Sequence, residues 1–177
     1  ILDYGHNAHA VGVMADLAQR LDVGNRRLVV LAAPGDRRDE DVLDIADAVS
    51  GKFDIYVLKR DDGLRGRDAD EIPNMMAGRL RSNGIADSAI QIIPDEQQAI
   101  DAALRMAQAG DLLLIFGDAL ARSWKQITKF NPENGLNTEN PLKKQVSESN
   151  AAVEAWLNQN VDAILPQFEG VRRDERG

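Results

Sequence analysis

Cysteine is absent from this 177-residue chain. That excludes a disulfide framework, a thiol nucleophile and any zinc site built on thiolates, and it fits a reducing, cytoplasmic setting. Aromatic residues make up 5% of the sequence and histidines number 2, so chemistry resting on stacked rings or a histidine cluster has little to draw on. No run of about 18 apolar residues exists, and no basic segment followed by an apolar one opens the chain, which leaves no span or signal peptide to read. Positive charge is also short: the formal net charge is -8, which argues against a nucleic-acid backbone or an anionic membrane as the main partner.

Two phosphate-binding signatures are missing as well. Neither G-x-x-x-x-G-K-[ST] nor G-x-G-x-x-G occurs, so the chain lacks the usual cradle of a complete ATP or dinucleotide fold and is expected to share its ligand with another domain. The serines have no nucleophile-elbow context, and no H-E-x-x-H spacing is present, which disfavours hydrolase and metalloenzyme chemistry. Ile1, not Met, leads directly into an apolar strand, as expected for a piece of a longer polypeptide.

What the chain does contain is 44% hydrophobic and 28% charged residues in an alternating arrangement, enough for one core without staples. Apolar runs at Ile1 to Asp3, Leu28 to Ala32, Phe53 to Leu58, Ile90 to Ile93 and Leu112 to Phe116 predict five strands covered on both faces. Between them lie segments of helical period. The first carries Val11, Met14, Leu17 and Leu21, with Asn7 as cap and Gly24 as a left-handed stop. The second carries Val42, Ile45, Ala46 and Val49 before Gly51, and the third runs from Pro73 through Met76 and Leu80 to Gly84. The fourth opens on Asp95 and ends before Gly110. The expected fold is α/β: a Rossmann-like open, mostly parallel sheet flanked by helices over residues 1–130. A polar linker follows at 131–140. Residues 141–177 form a helical extension with a frayed end, whose stripe of Val146, Val153, Trp156, Leu157, Val161, Ile164 and Leu165 needs a surface to dock on.

In an open α/β sheet, ligands sit at the carboxyl ends of the strands, and three polar clusters fall there. After the first strand comes Asp3-Tyr4-Gly5-His6-Asn7: a carboxylate for ribose hydroxyls, a glycine turn, then His6 and Asn7 at the helix start, directed at base or phosphates. Asp3 and Asn7 serve equally well as plain helix caps. His9 is assigned to packing or solvent. After the second strand comes APGDRRDED, where Arg37 and Arg38 can grip a phosphate or carboxylate, or simply neutralise Asp36, Asp39 and Asp41 in a solvated loop. After the third comes DDGLRGR, with Arg65 and Arg67 flanking a glycine in what is otherwise an ordinary mobile loop. Trp124, behind the fifth strand, is assigned to core packing, and Asp118 to a helix cap or a ligand contact.

Taken together, DYGHN, APGDRRDED, DDGLRGR and the closing D-LLLIFGD-A-ARSWKQI resemble the carboxy-terminal domain of the Mur ligase superfamily over Ile1 to about Phe130, and within it the cyanophycin-synthetase branch. The resemblance implies a lobe that closes on ATP and magnesium held mainly by an upstream central ATPase domain of the same polypeptide. The chemistry it implies is phosphorylation of a carboxylate, then attack of an amine on the acyl phosphate, extending an aspartate and arginine polymer. Folylpolyglutamate synthases and cell-wall Mur ligases share DYGHN, and a non-catalytic assembly module is the other alternative. By position, Asp3, Tyr4, His6 and Asn7 would face ATP, and Asp36 and Arg37 would border the cleft, with Arg38, Arg65 and Arg67 as further candidates. The full-length enzyme is expected to be a homo-oligomer. Ala8 stands where many relatives have proline, which loosens the first turn but removes no ligand group.

Overall fold

The structure, a computed structural model, describes residues 1–68 and 70–132. The expected linker beyond 132 and the amphipathic tail with Trp156 lie outside the described residues. Within them, five strands and five helices alternate: β1 (Leu2–Asp3), α1 (Ala8–Arg20), β2 (Arg27–Leu31), α2 (Asp39–Val49), β3 (Ile55–Leu58), α3 (Glu71–Ser82), β4 (Ile90–Ile92), α4 (Glu96–Met106), β5 (Leu112–Phe116) and α5 (Leu120–Thr128). A single 3-10 turn, Asp87–Ala89, precedes β4.

The sheet is wholly parallel, in the order β1-β5-β2-β3-β4. β2 is central, paired through Val29 to Leu114 of β5 on one side and to Tyr56 of β3 on the other, which is why RLVVL is apolar almost without a break. Alternation sends Val29, Leu31, Tyr56, Leu58, Leu114 and Phe116 to one face, where α1, α2 and α3 cover them. Val30, Val57 and Ile115 go to the other face, under Ile100 and Ala103 of α4. Each fully buried aliphatic side chain here contributes about 1.5–3 kcal/mol.

Three features depart from expectation. The buried stripe of α1 is Val11, Ala15 and Ala18, while Leu17 and Leu21 are exposed. Small side chains let α1 approach α2 closely, with a Cβ added at Gly12 meeting that of Ala48 at 3.8 Å, so the seam selects alanine over leucine. Gly24 does not stop the helix in a left-handed conformation; α1 ends on Leu21 in extended backbone. Gly51, Gly84 and Gly110, which follow α2, α3 and α4, are the glycines that do adopt positive φ at such ends. Trp124 is 60% exposed rather than packed, because α5 turns Ser123 inward and leaves its neighbour on the outer face.

The chain runs outward from β2 to β4 and then returns to insert β5 between β1 and β2. β2 is followed by a helix on one face and β5 by a helix on the other. The loops leaving these two strands therefore part, and a crevice opens at their carboxyl ends.

Candidate functional site

The crevice is a cleft of about 330 Å³ lined from four loops: Tyr4 to His6, Ala32 to Pro34 with Arg37, Asp61 to Gly63 with Arg65, and Phe116 to Asp118. In the first loop, Asp3 Oδ1 accepts the Gly5 amide at 2.6 Å and tightens the turn, so its role is not to cap α1. A Cβ on Gly5 would stand 3.0 Å from both Asp3 Oδ1 and the Phe116 ring, so the turn needs glycine for room. Asn7 caps α1, its Oδ1 accepting from the Ala10 amide at 2.9 Å. Tyr4 and His6 project outward with ring centroids 5.1 Å apart.

The four arginines of the second and third loops meet different fates. Arg67 threads between the loops and donates to the Gly35 carbonyl (3.0 Å), the Arg37 carbonyl (2.6 Å), Asp39 (2.7 Å) and Glu71 (2.5 Å). It is a clamp with little capacity left. A Cβ on Gly35 would collide with the Leu64 carbonyl, so the two loops touch backbone to backbone where Arg67 ties them. Arg65 takes a left-handed φ of 50°, which costs a side-chain-bearing residue of order 1 kcal/mol, and pairs with Asp36 at 2.5 Å and Asp61 at 3.7 Å. The Arg65 guanidinium holds the Asp36 carboxyl below its ordinary range. Arg38 sits at the N-cap of α2 and pairs with Asp41 at 2.8 Å and Glu40 at 3.4 Å. Only Arg37, among these four, has a guanidinium with no hydrogen bond or ion pair to the described residues, and it lines the cleft. Arg37 and Arg38 therefore do not act as a pair.

The floor is ionic and was not foreseen in the sequence. Lys59, directly after β3, is 0% exposed and bonds Glu96 at 2.9 Å and Asp118 at 3.0 Å. Glu96, in the first turn of α4 and 1% exposed, also accepts the Asp118 amide at 2.7 Å, Arg122 at 2.7 Å and the Ser123 hydroxyl at 3.1 Å. Burial alone would raise its pKa, but Lys59, the Asp118 amide and Arg122 together outweigh that and hold it down at about 2. For Asp118 burial prevails: with Glu96 and Asp61 adding repulsion, its carboxyl is raised to about 6 despite Lys59. Among the described residues no three His, Cys, Asp or Glu side chains are grouped to hold a metal ion.

A family model described as Mur ligase, glutamate ligase domain, matches residues 1–119. The chain belongs to this family. The domain is 31% identical over 164 residues to a cyanophycin synthetase of Nostoc sp., covering 90% of this chain and 16% of that protein. It is 33% identical over 119 residues to a UDP-N-acetylmuramoyl-L-alanyl-D-glutamate--2,6-diaminopimelate ligase of Xylella fastidiosa, covering 66% and 22%. Among solved structures, a ligase of the latter name matches with a TM-score of 0.52 at 26% identity, over 64% of this chain and 22% of that one. A Mycobacterium tuberculosis folylpolyglutamate synthase complexed with ADP matches with a TM-score of 0.54 at 20% identity, over 74% and 30%, which speaks for the fold alone. The chain thus spans less than a quarter of the length of the two ligases it matches by sequence.

Of the residues singled out from the sequence, the structure brings Tyr4, His6, Arg37 and Arg65 onto one cleft. Asn7 faces an adjoining hollow shared with His6, Arg37 and Asp41. Arg38 is spent on Asp41 and Glu40 in the first turn of α2, and Arg67 on tying the second loop to the third. Lys59, Glu96 and Asp118 form the floor, and a signal for the first was present: a lysine closing the buried run FDIYVLK has to find anions at the strand end. No helix among the described residues is long and apolar enough to cross a membrane.

Proposed function

We propose that the domain is the ATP-facing lobe of an ATP-dependent amide ligase of the cyanophycin-synthetase type. An acyl phosphate is attacked by the amine of arginine, or of a β-aspartyl-arginine dipeptide. The observation that carries this reading is the convergence of four strand-end loops on one cleft in which Arg37 keeps an unspent guanidinium beside Tyr4 and His6. Likeness to a cyanophycin synthetase over 90% of the chain supports it.

In this mechanism Asp3, whose Oδ1 is engaged by Gly5, offers Oδ2 to a ribose hydroxyl, and the Tyr4 and His6 rings flank the base or phosphates. Arg37 meets an anion, phosphate or carboxylate, by a two-pronged contact that lysine would not reproduce. Asp36 and Arg65 hold the rim through their mutual pair. Residues 1–130 form the lobe, 131–140 the linker and 141–177 the extension. ATP and magnesium are held mainly by an upstream ATPase domain of the same polypeptide, so the lobe alone is inactive. The setting is cytoplasmic and the full-length enzyme a homo-oligomer.

The test is ATP-dependent incorporation of arginine against glutamate and diaminopimelate by the full-length protein. Arginine incorporation that falls at least tenfold in Arg37→Ala supports the reading. Incorporation of diaminopimelate instead would move the domain to the cell-wall ligases. Full turnover in Arg37→Ala, with Asp3→Asn and His6→Ala also neutral, would leave only an assembly role.

A further inference from the structure

A lysine with no exposed surface, held between two carboxylates, is costly unless every partner is satisfied, and a packed apolar group of the same size is often as stable. Its position explains its presence. Lys59 follows β3 where the Asp61 to Arg67 loop departs, Glu96 opens α4, and Asp118 lies on the loop between β5 and α5. Three segments distant in sequence are pinned at one point beneath the cleft. Asp118 Oδ2 accepts both Lys59 Nζ at 3.0 Å and the Asp62 amide at 3.1 Å. Its backbone amide is held by Glu96 at 2.7 Å, and Arg122 bridges Glu96 and Asp62 at 2.7 and 2.8 Å. The carboxylate is fixed by two hydrogen bonds on Oδ2, and the Glu96 and Arg122 contacts hold the backbone and neighbours around it. Its Oδ1 makes no hydrogen bond among the described residues, and its side chain keeps 22% exposure on a residue that lines the cleft.

Among the described residues, the same cleft therefore presents an unspent guanidinium, Arg37, beside a fixed carboxylate, Asp118, whose Oδ1 is unpaired, while Asp61 and Asp62 are engaged by Arg65 and Arg122. The geometry points to Asp118 as the residue that receives the positively charged nitrogen of the incoming amino acid, with Lys59 and Glu96 as the positioning residues that hold it there. This inference rests on the ligase function proposed above. Asp118 Oδ1 lies opposite its lysine-bound edge and is the acceptor available to an ammonium or guanidinium. The charged groups acting on Asp118 are Lys59 just after β3, Glu96 of α4 and Asp61 of the third loop; Asp62 gives it a backbone amide, Arg122 of α5 reaches Glu96 and Asp62 beside it, and Asp3 ends the neighbouring strand β1. A carboxyl raised to about 6 is charged at neutral pH and loses its charge, and its cation, in mild acid.

The full-length ligase tests this with Asp118→Asn, which keeps the shape, and Lys59→Arg beside Lys59→Met. Asp118→Asn is expected to raise the KM for arginine roughly tenfold or more while leaving the KM for ATP and the melting temperature in place. In wild type that KM climbs as pH falls through about 6, and the acid limb disappears in Asp118→Asn. Lys59→Met reproduces the KM effect, and Lys59→Arg restores most of it. Citrulline distinguishes the two cations: a KM penalty equal for arginine and citrulline assigns the α-ammonium to Asp118, and a penalty for arginine alone assigns the guanidinium. Calorimetric titration of arginine into the same proteins reads the subsite without turnover. Arginine binding that is weakened in Asp118→Asn, in a protein that forms no amide, keeps the subsite and overturns the ligase function. An arginine KM and affinity unchanged in Asp118→Asn, or no arginine binding by wild type, overturns the subsite.

Discussion

Two ion pairs close the two ends of this sheet. At the amino ends of the strands, Arg26 and Asp111 meet at 2.6 Å, with side chains 30% and 1% exposed. Asp111 also accepts the amides of Arg26 at 3.0 Å and Gln108 at 2.9 Å, while Arg26 donates onward to the Met106 carbonyl at 2.9 Å. Everything that Asp111 offers is consumed in joining β2 to β5, and the Arg26 hydrogen bond holds its carboxyl below the ordinary range. At the carboxyl ends, Lys59 and Glu96 are covered still more fully, yet their network runs on to Asp118, a partly exposed residue that lines the cleft. Chemistry of one kind thus serves closure at one end and presentation at the other. What separates them is where the last acceptor points.

The comparison breaks first at Lys59. Lys59→Met leaves Asp118 without its cation and buried Glu96 with Arg122 alone, and is expected to cost about 3–5 kcal/mol in urea unfolding. A melt like wild type would mean that the network carries little strain and that its two ends are alike. Acid titration is the next largest effect. Glu96 has a folded pKa near 2 against 4.5 when free, so its stabilisation is full above about 4.5 and is lost as pH falls towards 2. Asp118, raised from 3.8 to about 6, runs the other way: the stability it contributes is present below 3.8 and lost as pH rises through 6. Unfolding midpoints measured from pH 2 to 7 in Glu96→Gln should therefore show a shallower acid drop, and in Asp118→Asn a smaller decline between 4 and 6.

At the opposite end Asp111→Asn is expected to cost about 1–3 kcal/mol by leaving donors unpaired, with the KM for arginine unchanged. A shifted KM there would erase the distinction between the two ends. Smallest of all on stability are the exposed arginines. Arg38→Ala and Arg37→Ala should leave the melting temperature nearly in place, but only Arg37→Ala should slow amide formation. Equal activities in the two would mean that the unspent guanidinium has no ligand.

The elements were legible along the chain because a strand or helix face is written in local period. Val42, Ile45, Ala46 and Val49 appear on one face of α2 and are buried as their spacing predicts. The cap at Asn7 and the strand-end positions of all three polar loops were legible for the same reason. The seam of α1 was not, since whether Leu17 or Ala18 faces inward depends on how closely α2 approaches. Nor was the exposure of Trp124, because the roll of α5 is set by the Ser123 hydroxyl reaching Glu96, 27 positions away.

Composition and periodicity by themselves determined a parallel α/β sheet with glycine and arginine loops at its carboxyl ends, since both depend on neighbours a few residues apart. The tertiary structure alone decided which arginine stays free. Arg37, Arg38, Arg65 and Arg67 are chemically identical, and only the crossing of the two loops makes Arg67 a clamp while Arg37 keeps its guanidinium for the cleft. It also decided the meaning of Lys59, whose anions come from α4 and from the loop after β5, far along the chain and adjacent only once the sheet has closed.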